Sequence, residues 1–265
     1  MSLKGFITKC HQNLISGAGR DVEIALDYLF KRKLISESLV SHKIGFCDKE
    51  SDIPDSVRFF GSEEQDEPWD ISGYLKGRII VPVFDEFGET VGLASRYPSF
   101  KKGNTWWNLP VPFHKGNHLF LLNLARKTIF KTNKVYLVEG YMDALMLYQE
   151  GLHNVVGLMG TALTQRKVGL ITRYCNEICL CFDVDENESG QKAKMISIAL
   201  LKKFDLCDKI SVIEGMPVGV DPADYVKKYG LQNFLDLERE LSEKEMKRIV
   251  YKLSMGKRRE LLNAK

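Results

Sequence analysis

The sequence lacks the features that several common protein classes require. No apolar run approaches the roughly 20 residues of a membrane span. The opening MSLKGFITKC has no apolar centre of the kind a signal peptide carries. The expected compartment is therefore the cytoplasm, with no membrane partner. Six cysteines (Cys10, Cys47, Cys175, Cys179, Cys181, Cys207) include no CxxC pair and no second pair at zinc-ribbon spacing, so no structural zinc is expected. The five histidines (His11, His42, His114, His118, His153) are scattered without metal-ligand spacing. A GxSxG nucleophile elbow and a GxxxxGK[ST] phosphate loop are both missing, as is any internal repeat. An excess of one charge is missing too. Thirty-eight Lys and Arg stand against 35 Asp and Glu, so net charge (+3) selects no partner.

What is present is a soluble globular composition. The 265 residues are 44% hydrophobic and 28% charged, enough for one large domain or two small ones. The even charge total hides local segregation. From Asp48 to Asp70, nine acids face only Lys49 and Arg58, a pattern that reads as an exposed loop. From Val91 to Lys134 there is no Asp or Glu. Arg96, Lys101, Lys102, Lys115, Arg126, Lys127, Lys131 and Lys134 are instead interleaved with Tyr97, Phe100, Trp106, Trp107, Phe113, Phe120 and Phe130. Bases with aromatic faces between them suit a groove that follows phosphates and stacks nucleobases. They also suit a basic surface over an ordinary aromatic core, to which Trp107 and Phe120 could belong. The stretch from Ser242 onward has eight bases and three acids and reads as a terminal helix with a basic face, either solvated or in contact with nucleic acid or a partner.

The rhythm of the chain changes near Asn133. Upstream, DYLFKRKLISESLVSHKIGF reads as two short helices with Ser36 as an N-cap. GRIIVPVFDEFGETVGLASR reads as a hairpin turning at Asp85–Glu89 with Gly88 in the turn. Downstream, the apolar runs VYLVEG, NVVGLMG, EICLCFD and KISVIEG alternate with helix-like segments near 141–150, 164–174 and 189–204. Such alternation implies parallel βαβ units. Cys179 and Cys181 then fall on a strand as small buried apolar residues. The expected fold class is α/β: a mixed α+β lobe over 1–133, a compact parallel α/β lobe over 134–230, and a helical tail over 231–265.

Ligands of open parallel sheets bind beyond the carboxyl ends of the strands, and here carboxylates recur at that place. Glu139 ends one strand. Asp183 ends another, with Asp185 two residues on. Asp221 and Asp224 follow a third, and Asp143 lies one helical turn past Glu139. Taken singly, such acids are commonly helix caps, and Asp224 reads best as one. As a set they repel one another unless a hard divalent cation intervenes, and two such ions would serve in-line phosphoryl transfer.

At this point the residues resemble a known family. VEGYMDALML, LMGTALT, CFDVDENESGQKA and VDPADYVKKYG are similar to the Toprim domain of DnaG-type bacterial primases. Upstream, the hairpin sequence and WWNLPVPFHKG resemble the same family's polymerase core, so the likeness runs from about Asp27 to Gly230. It implies a Toprim-type lobe with Glu139 as central metal ligand and general base. Asp183 and Asp185 would hold catalytic metals, supported by Asp143 and Asp221, and the ions would be two or more Mg²⁺ or Mn²⁺. Arg78, Arg96, Trp106, Asn108 and Lys115 would contact nucleotide phosphates or template, and Gly160 with Thr161 would make a close turn. The family's lysine before its Tyr-Leu-Asn motif is Thr105 here, with Trp106 and Trp107 following, so Lys101 or Lys102 would supply the charge. The family's Asp-Pro-Asp is Asp221-Pro222-Ala223-Asp224, and DVDENESG lacks the family's arginine. Its zinc-binding and helicase-binding domains have no counterpart within these residues.

The implied activity is template-directed synthesis of short RNA primers on single-stranded DNA from ribonucleoside triphosphates, with a separate zinc-binding or helicase-type replication protein as partner. Two other readings stay open. One is a Toprim nuclease using the same metal site. The other is a non-catalytic DNA-binding factor, for which Thr105 and Ala223 speak.

Overall fold

The computed structural model describes residues 1–60, 69–99, 105–109, 113–160, 163–183, 189–204 and 209–263. It divides into two compact units, Met1–His114 and Lys115–Lys265.

The first unit opens with three helices: α1 (Leu3–Ser16), α2 (Arg20–Lys31) and α3 (Ser36–Ser41). The Ser2 hydroxyl caps α1 by accepting the Gly5 N–H at 3.2 Å. Phe6, Ile7, Cys10 and Leu14, at helical spacing, are buried. Helix α1 packs on β1 (Gly45–Cys47) and β4 (Arg78–Phe84). The two helices expected around Asp27–Phe46 are present, but Ser36 does not cap the second. Ile35 holds the extended cap position, offers no side-chain bond, and leaves Ser36 as the first helical residue. Between β1 and β4 lie α4 (Asp55–Arg58), β2 (Phe59–Phe60) and β3 (Trp69–Asp70), with β2 and β3 paired antiparallel. Part of the acidic stretch is therefore ordered. The Arg58 guanidinium donates to Asp70 at 2.8 and 3.0 Å and also meets Glu50 at 2.8 Å.

The expected hairpin is β4 against β5 (Thr90–Arg96). Asp85 Oδ1 accepts the N–H groups of Phe87 and Glu89, and Gly88 stands at φ 94°. With β1 outside β4 and β6 (Trp107–Asn108) outside β5, the unit holds a four-stranded antiparallel sheet in the order β1-β4-β5-β6.

The second unit begins before Asn133. Its first helix, α5 (Leu122–Thr132), buries Leu122, Ala125 and Ile129 against β7 (Lys134–Val138) and β8 (Val155–Gly157), so it belongs with the parallel sheet. The chain continues through α6 (Tyr141–Gln149), α7 (Gln165–Ile171), β9 (Glu177–Cys181), α8 (Ser189–Phe204) and β10 (Lys209–Ile213). It ends with α9 (Pro222–Tyr229), α10 (Leu231–Leu235), β11 (Glu238–Glu240) and α11 (Glu243–Asn263). Strand order is β11-β10-β9-β7-β8. Strands β7, β8, β9 and β10 run parallel, as the alternation implied, and β11 pairs antiparallel with β10. The region after 230 is therefore not purely helical: it adds an edge strand to the sheet.

One sheet face carries the apolar core, including Val135, Leu137, Ile178, Leu180, Ile210 and Val212. On the other face Cys179 and Cys181 are buried, as expected of strand residues. Nearby, Glu238 of β11 accepts hydrogen bonds from Lys134 Nζ, the Tyr136 hydroxyl and the Ser211 hydroxyl, joining the edge strand to β7 and β10. Among the described residues no helix is long and apolar enough to cross a membrane.

Candidate active site

The carboxyl ends of β7 and β9 and the loop after β10 carry the carboxylates. Glu139 follows β7, and its Oε1 accepts the Asp183 backbone N–H at 3.3 Å, so the ends of these adjacent strands meet directly. Asp143, in the first turn of α6, is buried and folds back over that end. Its Oδ2 lies against Gly140, where a Cβ would stand 2.4 Å from it. A side chain there would have to push the Asp143 carboxylate aside. Its Oδ1 accepts the Ala223 N–H at 3.3 Å, which ties α6 to the start of α9.

Asp221 is the N-cap of α9, with Oδ1 accepting the Asp224 N–H at 2.7 Å. The capping role read for Asp224 thus falls to Asp221. Asp224 faces solvent in the first turn and meets Lys227 at 3.4 Å. Ala223, where the resemblance expects a carboxylate, is buried.

Electrostatics mark this edge as crowded with negative charge. Burial, then the charge of Asp221, raises the Asp143 carboxyl to about 7; the Ala223 N–H opposes the shift and Glu139 adds to it. The donors are all oxygen, which suits a hard divalent cation rather than a thiophilic one. Repulsion among Asp143, Asp221 and Glu139 is the term that such an ion would relieve. The residues present fit Mg²⁺ or Mn²⁺ in this sense. Among the described residues, no three His, Cys, Asp or Glu side chains stand close enough to form a ready-made metal site. Asp185 lies outside the described residues, as do Thr161, Lys101 and Lys102.

A residue not singled out by the sequence reading lies close by. Lys167 on α7 is fully buried and donates from Nζ to the Leu158 carbonyl at 2.7 Å. Burial, then the nearby charge of Lys115, lowers its pKa to about 7. The chain it holds is unusual: Met159 and Gly160 stand in succession at φ 62° and 70°. Gly160 in turn donates to the Glu139 carbonyl at 2.8 Å. The Thr164 hydroxyl, which caps α7, donates to the Gly116 carbonyl at 2.6 Å and so secures the segment carrying Lys115. The available signal was positional, since Lys167 shares the apolar face of α7 with Val168, Leu170 and Ile171.

In the first unit, Arg78 and Arg96 lie at the same end of the β4–β5 hairpin, in register through the Ile79–Arg96 pair. The Arg78 guanidinium lies 4.0 Å from the Tyr97 ring centroid, and that of Arg96 lies 5.7 Å from Trp106. Among the described residues neither arginine Nε has a hydrogen-bond partner. Trp107 and Asn108 pair with Ser95 and Ala94 of β5, and Trp107 stacks on Tyr74 at 5.0 Å. Trp107 is half-buried, whereas Phe120 is a core residue.

Residues 136–226 match the Toprim-like family model. A DNA primase of Campylobacter jejuni is 31% identical over 240 residues, covering 85% of this chain and 39% of the relative. A DNA primase of Enterococcus faecalis is 32% identical, covering 81% of this chain and 36% of the relative. The chain thus spans well under half the length of these relatives. Among solved structures, the E. coli primase catalytic core superposes with a TM-score of 0.75 at 23% identity, covering 96% of this chain and 82% of that one. A DnaG primase catalytic domain bound to single-stranded DNA superposes at 0.68 and 22% identity, covering 88% and 80%. Residues 136–226 are a Toprim-like domain, and the chain is a homologue of bacterial DNA primases with the fold of the E. coli primase catalytic core.

Proposed function

We propose that this chain is the catalytic core of a DNA-directed RNA primase, joining ribonucleoside triphosphates on a single-stranded DNA template. The observation that supports the proposal is the carboxylate edge: Asp143 feels the charges of Asp221 and Glu139, and Glu139 accepts the backbone N–H of Asp183. Glu139, Asp183 and Asp185 would hold the catalytic ions, with Asp143 and Asp221 supporting them. When bound, Mg²⁺ or Mn²⁺ would activate the attacking hydroxyl and neutralise charge on the transferring phosphoryl group. Glu139 would take the proton of the attacking hydroxyl as general base. Asp143, raised to about 7, can hold a proton near neutral pH and lower the local repulsion.

Arg78 and Arg96 would meet phosphate oxygens, because a guanidinium flattened on an aromatic ring keeps its fork of donors oriented. By the family resemblance, Asn108, Trp106 and Lys115 would also contact nucleotide or template, with Lys101 or Lys102 supplying a further cation. Contacts of this kind follow the backbone and carry little base information, so DNA affinity is expected to be modest and salt-sensitive. The partner expected alongside is a separate zinc-binding or helicase-type replication protein, in the cytoplasm.

The test is incubation with single-stranded DNA, labelled ribonucleotides and Mn²⁺, followed by a denaturing gel. New short RNA supports the primase, shortened DNA would establish a Toprim nuclease instead, and neither product would leave a DNA-binding factor.

A further inference from the structure

Among the described side chains, the outward face of α11 carries bases and no acid. Met246 and Ile249 point inward and pack against the core of the second unit. On the opposite side, at helical spacing, come Lys244, Lys247, Arg248, Tyr251, Lys252 and Met255, all exposed. Tyr251 is the most open of the large side chains there, at 64%. The acids of the first turn are engaged mainly elsewhere, although the Lys247 charge also acts on Glu243. Glu243 is taken by Lys202 of α8 at 2.6 Å. Glu245 is taken by Arg239 at 2.8 Å and by the Ser242 hydroxyl at 2.7 Å. Among the described residues no ion pair involves Lys244, Lys247, Arg248 or Lys252. An ordinary solvated helix face mixes both signs, and this one does not.

Topology gives the stripe a direction. Leu241 bonds to Ile210 near the start of β10, so α11 begins at the sheet edge opposite the carboxylates. It starts beside the end of α8 and packs along that helix. Since α8 leaves the carboxyl end of β9, α11 runs back toward the edge where Glu139 and Asp183 lie. Lys244 to Lys252 spans about 12 Å of helix, a length over which an extended nucleic-acid strand presents successive phosphates.

We infer that this stripe is a second docking surface for the phosphodiester backbone of single-stranded DNA, with Tyr251 offering a ring for a base to stack on. A membrane surface fits less well, because an interfacial helix needs a free apolar face and that of α11 is already packed. The inference deepens the proposed function and rests on it for the identity of the strand.

The experiment is fluorescence anisotropy of labelled oligo(dT) with the full chain across a series of salt concentrations. It compares the unmodified protein, the combined variant K244Q/K247Q/R248Q/K252Q, and Tyr251→Ala. The combined variant should bind about tenfold or more weakly at low salt, with the slope of log affinity against log salt smaller by about 2. Tyr251→Ala should weaken binding several-fold and leave that slope unchanged. Should the combined variant melt lower than the parent, Lys247→Gln with Arg248→Gln carries the same comparison with half the slope change.

Unmodified protein that binds oligo(dT) while every variant binds equally well overturns the inference and leaves the primase reading standing. Protein that makes no primers, yet loses DNA affinity in the stripe variants, overturns the primase reading and leaves the docking surface standing. Variants that keep DNA affinity but lose binding to phosphatidylglycerol vesicles would assign the stripe to membranes and overturn the inference.

Discussion

The two units solve opposite electrostatic problems with opposite materials. The second gathers like charges: carboxylates from strand ends and helix starts share one edge, where burial, then Asp221 and Glu139, raise the proton affinity of Asp143. The first spreads its cations on ring faces, where Arg78 and Arg96 lie over Tyr97 and Trp106. The anionic edge is tied to backbone, because its oxygens accept N–H groups of Asp183, Ala223 and Asp224. The cationic corner depends on side-chain stacking, which tolerates local change. Substitution at the edge should therefore act nearly all-or-none, and substitution at the corner should act by degrees.

The largest effect is expected from Glu139→Gln, which keeps the shape and removes the charge. Primer synthesis should fall by ~10²-fold or more, with circular dichroism and melting temperature close to those of the parent. Survival of synthesis would show that the edge is not the reaction centre. Gly140→Ala comes next. The new methyl meets Asp143 Oδ2 at 2.4 Å, so stability should drop by about 1–3 kcal/mol in denaturant titration, and synthesis should drop with it. Unchanged stability would mean that Asp143 has room to move.

Arg78→Ala and Arg96→Ala should each raise the nucleotide KM or the DNA Kd by roughly tenfold, about 1.4 kcal/mol, with kcat less affected. A loss confined to kcat would move these arginines from binding into chemistry. A further effect is a slope. Lys167 has its pKa lowered to about 7 by burial, while its unfolded value is near 10.4. Between those values the unfolded chain binds more protons, so stability rises with pH there and is lost as pH falls toward 7. Its contribution approaches about 1.4 kcal/mol per pH unit at the steepest. Lys167→Met should flatten that rise in melting curves across the interval, and an unchanged rise would assign it to another group.

Residues with a repeating pattern were legible before any coordinates. The β4–β5 hairpin declared itself by apolar runs around a polar turn, and the four parallel strands by apolar runs spaced by helices. The strand-end position of Glu139 and Asp183 followed from that spacing. What escaped were features decided by a single contact or by distant packing. Ser36 looked like a cap, but the chain enters α3 one residue earlier, at Ile35. Asp224 looked like a cap because it follows a loop, yet Asp221, before Pro222, has the extended backbone that a cap needs. The boundary near Asn133 misplaced α5, because a helix does not announce which sheet it will cover. Lys167 resembled any surface lysine until the fold turned it inward.

Strand β11 escaped for another reason, and it has a consequence for anyone who trims this chain. Glu-Arg-Glu has no apolar alternation, yet it closes the flank of β10, and Glu238 clasps residues of β7 and β10. The Toprim-like match ends at residue 226, before this segment. A fragment cut there would bare a row of unsatisfied backbone groups and orphan Lys134, inviting self-association in place of a monomeric domain.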